Sequence, residues 1–286
     1  MGGNQIKLAM AEMEFTGERM TTAYKSYGSI EHLHRYSVIQ NLLKSDMTVL
    51  DVACGEGYGT SMISAKVKKV YGVDISAEAI SHASDKYKTS NIEFIQASAL
   101  EIPLPDRSID LIVSFETLEH LEDHDMMLSE LKRILKNEGT LVISTPDKNN
   151  YEKDIPNPFH VRELTFEEFK GLLNRYFSIA KFCFQKTIHG SLIFNENSAS
   201  PIEQYEGNFE TLKHEAGVKK PDFIIAFATD SSVLPPQPGN SLFDASSIFN
   251  IEYKDYLDTR EKYYSLITSW KFKFLNRFLK IFRLGF

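Results

Sequence analysis

A chain of 286 residues, 42% hydrophobic and 25% charged, has a globular composition and room for one large domain with additions. Its net charge of −7 argues against a general nucleic-acid binder, and no apolar run approaches the roughly 20 residues that span a bilayer. Met1 to Met13 lacks the regions of a signal peptide, and two cysteines, Cys54 and Cys183, suggest no disulfide framework, so a reducing, cytoplasmic setting is expected.

In chain order, the first dozen residues carry little pattern, and a first helix is predicted from about Ser29 to Lys44. Leu33, Tyr36, Ile39 and Leu43 line one face of it. His32, His34 and Arg35 stand beside that face, either as a solvated polar surface or as part of a lid over a ligand. From Thr48 the pattern alternates strand and helix, which indicates a parallel sheet. Strands are predicted at Val49–Val52, Val70–Asp74, Ile92–Ile95, Ile109–Ser114 and Thr140–Ser144. Between them come a helix starting near Tyr58 or Thr60, and one capped by Ser76 that buries Ile80, Ala83 and Tyr87. A third intervening helix runs from about Asp125 to Lys136. A long loop from Pro146 to Pro158 leads to Phe159-His160-Val161 and a helix over about Phe166 to Leu173. A sixth strand is expected near Ile179–Gln185 and a seventh at Phe223–Ala228, separated by a polar insertion from about His189 to Pro221. Pro235 to Gly239 reads as a linker, and the tail from about Glu252 reads as helical.

The chemistry is concentrated where the first strand ends. Val49 to Val52 runs into Gly55-Glu56-Gly57-Tyr58-Gly59, three glycines at every second position. Gly tolerates positive φ and has no Cβ, so such a turn lets a ligand come close to the backbone and to the N-terminus of the next helix. Nicotinamide cofactors ask for a third glycine three residues after the second, where this chain has Thr60, so the dinucleotide fingerprint fails. Asp74 follows Gly55 by 19 residues, at the end of the next strand, where a carboxylate can accept both hydroxyls of a ribose.

Asp51 with the glycine turn, then Asp74, then Phe115-Glu116-Thr117-Leu118-Glu119-His120, resembles class I S-adenosylmethionine-dependent methyltransferases over about residues 14–185. The resemblance implies a Rossmann-like, doubly wound α/β sheet of seven strands, mostly parallel with the last antiparallel, plus a helical N-terminal cap and a C-terminal helical tail. Divided accordingly, residues 1–47 form the cap or lid, 48–230 the methyltransferase domain, and 231–286 a linker and an amphipathic basic helix. The implied cofactor is S-adenosylmethionine, leaving as S-adenosylhomocysteine. Its contacts are expected from Arg35 (on its carboxylate), Asp51 (near its ammonium), Gly55, Gly57, Gly59, Asp74 and Ile75. Ser98, Ala99 and Leu100 are expected to enclose the adenine, with Phe115 and Glu116 near the methionine part. Ser98 stands where the family often carries Asp, so the usual carboxylate to the adenine amine is missing. Thr16-Gly17-Glu18-Arg19, His32 to Tyr36 and Asn157-Pro158-Phe159-His160 look similar to a narrower bacterial subgroup associated with glycosyltransferases in surface-polysaccharide biosynthesis.

A sugar hydroxyl is a weak nucleophile at neutral pH, and a histidine suits the role of its general base. The candidate catalytic residues are therefore His120, Glu119 and His160, whose alternative is structural hydrogen bonding. No metal-ligand spacing stands out, so no metal is assigned, although carboxylate–His sites assembled across distant loops stay open. The expected function is O-methylation of a sugar or glycan, with a small-molecule or lipid-linked acceptor. The alternatives are N- or O-methylation of another small-molecule, lipid or protein acceptor, or a non-catalytic cofactor-binding scaffold in a glycan assembly complex. From Tyr263 to Phe286 the tail holds five basic residues and no acidic one, with Trp270, Phe274, Phe278 and Phe282 at every fourth position. Such a stripe packs on the domain or in a homodimer, or it docks residues 268–286 on a glycosyltransferase or peripherally on the inner membrane face.

Overall fold

The computed structural model describes residues 20–22, 27–151, 157–187, 191–195, 202–207, 212–216, 218, 220–233 and 236–243. The basic tail and the Thr16–Arg19 segment lie outside the described residues. Residues 1–243 make one unit, and residues 244–286 are a second.

The elements are α1 (Tyr27–Ile39), β1 (Thr48–Val52), α2 (Tyr58–Ser64), β2 (Lys69–Asp74), α3 (Ala77–Lys86) and β3 (Ile92–Gln96). Then come β4 (Ile109–Phe115), a 3₁₀ turn (Leu118–His120), α4 (His124–Ile134), β5 (Leu135–Pro146), α5 (Phe166–Tyr176) and β6 (Ile179–Thr187). The last strands are β7 (Ser191–Asn195), β8 (Glu203–Gly207), β9 (Leu212–Ala216), β10 (Phe223–Thr229) and β11 (Ser241–Phe243).

One sheet runs β11-β7-β6-β10-β5-β4-β1-β2-β3. Strands β1 to β5 are parallel where they pair, and β10 lies antiparallel between β5 and β6. The seven predicted strands therefore all form, with the last one antiparallel. Two more antiparallel strands, β7 and β11, extend the edge to nine. Successive side chains of a strand point to opposite faces, so a sheet covered on both sides needs apolar residues at almost every position. β4 shows this: Ile109 and Ile112 join the core beneath α4 and α5, whereas Leu111, Val113 and Phe115 join the core beneath α1 and α2.

Several boundaries differ from the sequence expectation. Ser76 does cap α3, accepting from Ala79 N at 3.2 Å, but the buried positions are Ala79 and Ala83, with Ile80 and Tyr87 only partly covered. Small residues there let α3 approach the glycine turn closely. The helix expected to reach Lys136 ends at Ile134, because Leu135 already pairs with Ile109 and starts a twelve-residue β5. The insertion, read as irregular from its polar composition, contributes β7 to the sheet and a separate β8–β9 hairpin. Just past the expected linker, Ser241–Phe243 pairs with β7, so the sheet continues beyond residue 230. Among the described residues no helix is long and apolar enough to cross a membrane.

Candidate functional site

The carboxyl ends of β1, β2, β4 and β5 share one edge, and the residues singled out from the sequence gather there. After Val52 the chain passes through left-handed conformations at Ala53 (φ 57°), Gly55 (φ 53°) and Gly57 (φ 89°) before entering α2. A Cβ on Gly57 would lie 2.8 Å from Ala83 Cβ and 2.9 Å from Phe94 Cζ, so the turn is pressed against α3 and β3. A Cβ on Gly59 would sit 2.0 Å from the Tyr36 ring. The second and third glycines thus clear space for the protein's own packing, whereas the sequence reading gave the cleared space to the ligand.

Tyr36, freed to approach, donates its hydroxyl to Asp51 Oδ1 at 3.0 Å, and Thr60 Oγ1 donates to Oδ2 at 2.7 Å. Asp51 is fully buried, and burial pushes its carboxyl up to about 7 despite these two donors. Asp74 holds the turn from the other side: Oδ2 accepts from Gly55 N and Oδ1 from Ser76 N, both at 2.9 Å. Each Asp74 oxygen keeps a second lone pair, and Ile75 beside it is 73% exposed, an apolar surface next to a carboxylate. Ser98 lines a cavity of about 650 Å³ behind this edge, whereas Ala99 and Leu100, expected to join it around an adenine, pack against the core.

Of the two alternatives for Arg35, the structure excludes the solvated surface. Arg35 is fully buried, as is His34 nearly so. Its Nε donates to Gln185 Oε1 at 2.8 Å, its Cζ stands 4.3 Å over the Phe223 ring, and NH1 lies 3.2 Å from Glu116 Oε1. That last contact is an ion pair off the hydrogen-bond axis: neither NH1 nor NH2 donates to a partner among the described residues. His34 bonds Ser191 Oγ and Ser241 Oγ, tying α1 to the added strands β7 and β11. Burial and the Arg35 charge lower His32 and His34 to about 3 and 4, so both are neutral at pH 7. Glu116 adopts φ 51°, a strained conformation held because Ser144 Oγ donates to its Oε1 at 2.6 Å and Arg35 faces the same oxygen.

One turn further, Glu119 is fully buried. Oε2 accepts from Thr145 Oγ1 at 3.2 Å, and Oε1 has no hydrogen-bond partner among the described residues. Burial first, then Glu116, push its carboxyl well above the usual range. The loop after β5 docks back onto this turn, with Val161 N and Arg162 N donating to the Glu119 carbonyl at 2.8 and 3.0 Å. Docking brings the His120 and His160 rings to 5.2 Å, edge to face. His120, Glu119 and His160 therefore do meet. The sequence reading missed Tyr36 as the Asp51 donor, Thr60, Gln185, Phe223 and Ser144; a glutamine inside the apolar run of β6 was the only local signal among them.

A model of the methyltransferase domain family matches residues 50–143, from β1 to the middle of β5. Residues 50–143 are thus similar to the methyltransferase domain family. A probable S-adenosylmethionine-dependent methyltransferase of Mycobacterium tuberculosis is 38% identical over 145 residues, covering 49% of this chain and 52% of that protein. The chain thus spans about half the length of that relative. The malonyl-[acyl-carrier protein] O-methyltransferase of Hamiltonella defensa is 28% identical over 182 residues, covering 60% of this chain and 70% of that protein. Among solved structures, a methyltransferase of Thermotoga maritima shares the fold with a TM-score of 0.52 at 20% identity, over 72% of this chain and 91% of that one.

S-adenosylmethionine is the cofactor named for that Mycobacterium tuberculosis relative, and the residues present here fit it. The left-handed turn, the spare lone pairs of Asp74, the exposed Ile75 and the unspent Arg35 donors offer contacts for ribose, base and carboxylate.

Asp51 also gives the methyltransferase domain a pH dependence. Its folded pKa of about 7 lies above the unfolded value of 3.8, so folding takes up a proton. This contribution to stability is complete below about pH 4 and is lost as pH rises through 7. The melting temperature of the wild type is expected to fall between about pH 4 and 7 relative to that of Asp51→Asn, in which position 51 cannot titrate. Parallel melting curves across that range would exclude a buried, raised Asp51.

Proposed function

We propose that the chain transfers a methyl group from S-adenosylmethionine to a hydroxyl of an acceptor seated over Glu119, His120 and His160, with a sugar of a surface polysaccharide as the acceptor class. The observation that carries the reading is the short path along one sheet edge: Glu116, facing Arg35, is three residues from the buried Glu119 and four from His120. When bound, S-adenosylmethionine supplies the methyl electrophile, whose carbon bonds the acceptor oxygen as its bond to sulfur breaks and the electron pair stays on sulfur.

The chain's residues do the holding. Asp74 and Ile75 take the nucleoside, Asp51 and Arg35 the ionic ends of the amino acid, and the strained Glu116 fixes the distance between this half and the acceptor half. His120 accepts the hydroxyl proton and releases it to solvent. Its Nδ1 faces the Phe159 carbonyl at 2.9 Å, an oxygen that can only accept, so Nδ1 carries a hydrogen and Nε2 is the basic atom. The resemblance of His32–Tyr36 and Asn157–His160 to the polysaccharide-associated subgroup supports the sugar, and the O-methyltransferase named above supports oxygen as the accepting atom.

Calorimetry with S-adenosylmethionine, followed by transfer of labelled methyl to extracted glycans, tests the reading. His120→Ala is expected to lower kcat by about 10²–10⁴ with unchanged cofactor affinity. A variant of normal rate would remove His120 from the chemistry, and a chain without affinity for the cofactor would end the proposal.

A further inference from the structure

We propose that Glu119, His120 and His160 form a binding site for a divalent first-row transition metal ion, which sits between the cofactor and the acceptor. One ligand atom from each of the three lies within 4.8 Å of the others. A metal with bonds of about 2.0–2.2 Å to nitrogen and oxygen draws such a set together through small side-chain rotations. One carboxylate with two imidazoles is the facial set that holds such ions while leaving positions open for further oxygen ligands.

Independent features of the cluster point the same way. Glu119 is fully buried, and its Oε1 has no hydrogen-bond partner among the described residues, a costly arrangement for a group with nothing to bind. Its other oxygen is fixed by Thr145 Oγ1 at 3.2 Å, which orients the carboxylate.

The two imidazoles are oriented in the way metal-ligating histidines usually are, each with one ring N–H given to an oxygen. His120 Nδ1 faces the Phe159 carbonyl at 2.9 Å, and His160 Nδ1 faces Glu163 Oε1 at 2.6 Å. Both oxygens accept, so both Nδ1 atoms carry hydrogen and both Nε2 atoms present lone pairs. The Asn157 amide lies 3.0 Å from His160 Nε2 and would turn aside for the ion.

The inference rests on the site assigned above and changes the agent of activation. An ion there polarises the acceptor hydroxyl so that its proton leaves to solvent, and His120 then serves as a ligand instead of a base. The transfer itself keeps the same balance of bonds.

The test uses full-length protein stripped with a chelator and titrated with Mn²⁺ under electron paramagnetic resonance, then with Co²⁺ in visible absorption. One equivalent is expected to bind. Glu119→Gln and His160→Gln are expected to weaken it by at least about 100-fold, and Glu163→Gln, on the surface side of His160, by about 10- to 100-fold. Circular dichroism checks that each variant is folded, and the mild Glu163→Gln keeps the test decisive if a core variant is not.

Metal-free protein should bind S-adenosylmethionine but transfer methyl at least about 10-fold more slowly, and excess Mn²⁺ should partly restore His120→Ala. Binding of neither ion, binding unchanged in all three variants, or full activity after chelation would each overturn the metal site while leaving the methyltransferase reading intact. An ion bound by a chain that does not bind S-adenosylmethionine would instead overturn that reading alone.

Discussion

Gly57→Val is expected to raise the dissociation constant for S-adenosylmethionine at least about 100-fold, roughly 2.7 kcal/mol. Two costs combine at this position. Its φ of 89° lies in the left-handed region, where a β-branched residue is strained by about 1–3 kcal/mol. The new Cβ would also meet Ala83 Cβ at 2.8 Å and Phe94 Cζ at 2.9 Å, and neither neighbour is the free end of a flexible chain. The turn must therefore move away from α3 and β3. Moving it breaks the register in which Gly55 N reaches Asp74, so the carboxylate loses the position from which it would hold a ribose. Binding should fail through a displaced turn, with the melting temperature lowered as well. Gly171→Ala is the matched control, because nothing lies within 4 Å of a Cβ there and the site is inside α5. That variant should bind normally and melt no earlier than the wild type. Calorimetry on folded Gly57→Val with an unchanged constant would refute the assignment of this turn to the cofactor.

What the sequence made legible was whatever local spacing encodes. The strands up to β6, the glycine turn and the place of Asp74 at the end of β2 follow from apolar runs, turn residues and a 19-residue interval, although β5 starts five residues early and Asp74 also accepts from Gly55 N. What stayed hidden depends on groups brought from far along the chain. Spacing alone left Arg35 either on a solvated face or in a lid over the cofactor, because the partners that bury it are Gln185 and Phe223, about 150 and 190 residues later. Glu56, inside the glycine turn, is 2% exposed because Lys86 and Thr22 reach it from α3 and the N-terminal side. The metal-like set Glu119–His120–His160 has a gap of 40 residues that only the docked loop closes. The polar insertion concealed β7 and the β8–β9 hairpin, since its composition alone does not distinguish short strands from a loop.

Removing the guanidinium of Arg35 is expected to cost more stability than any other single truncation at this site, about 3–5 kcal/mol, or a fall in melting temperature on the order of 10 °C. In Arg35→Ala the Glu116 carboxylate, 15% exposed, loses the cation 3.2 Å away, and the fully buried Gln185 loses the donor to its Oε1. Phe223 loses the flat cation over its ring. The damage should spread towards the acceptor side, because Phe223 packs on Tyr151 at 5.1 Å and Tyr151 stacks on His160 at 5.9 Å. Lost packing and lost charge can be separated. Arg35→Met keeps most of the volume and removes only the charge and donors, so it should still cost more than half of the alanine effect. Adding Glu116→Gln to Arg35→Met should recover part of that loss, since a neutral amide can still accept from Ser144 Oγ and no longer needs a buried counter-ion. Thermal melts of the two single variants and the double variant form the cycle. A coupling near zero would mean that Arg35 contributes only packing and that Glu116 keeps its strained φ without it.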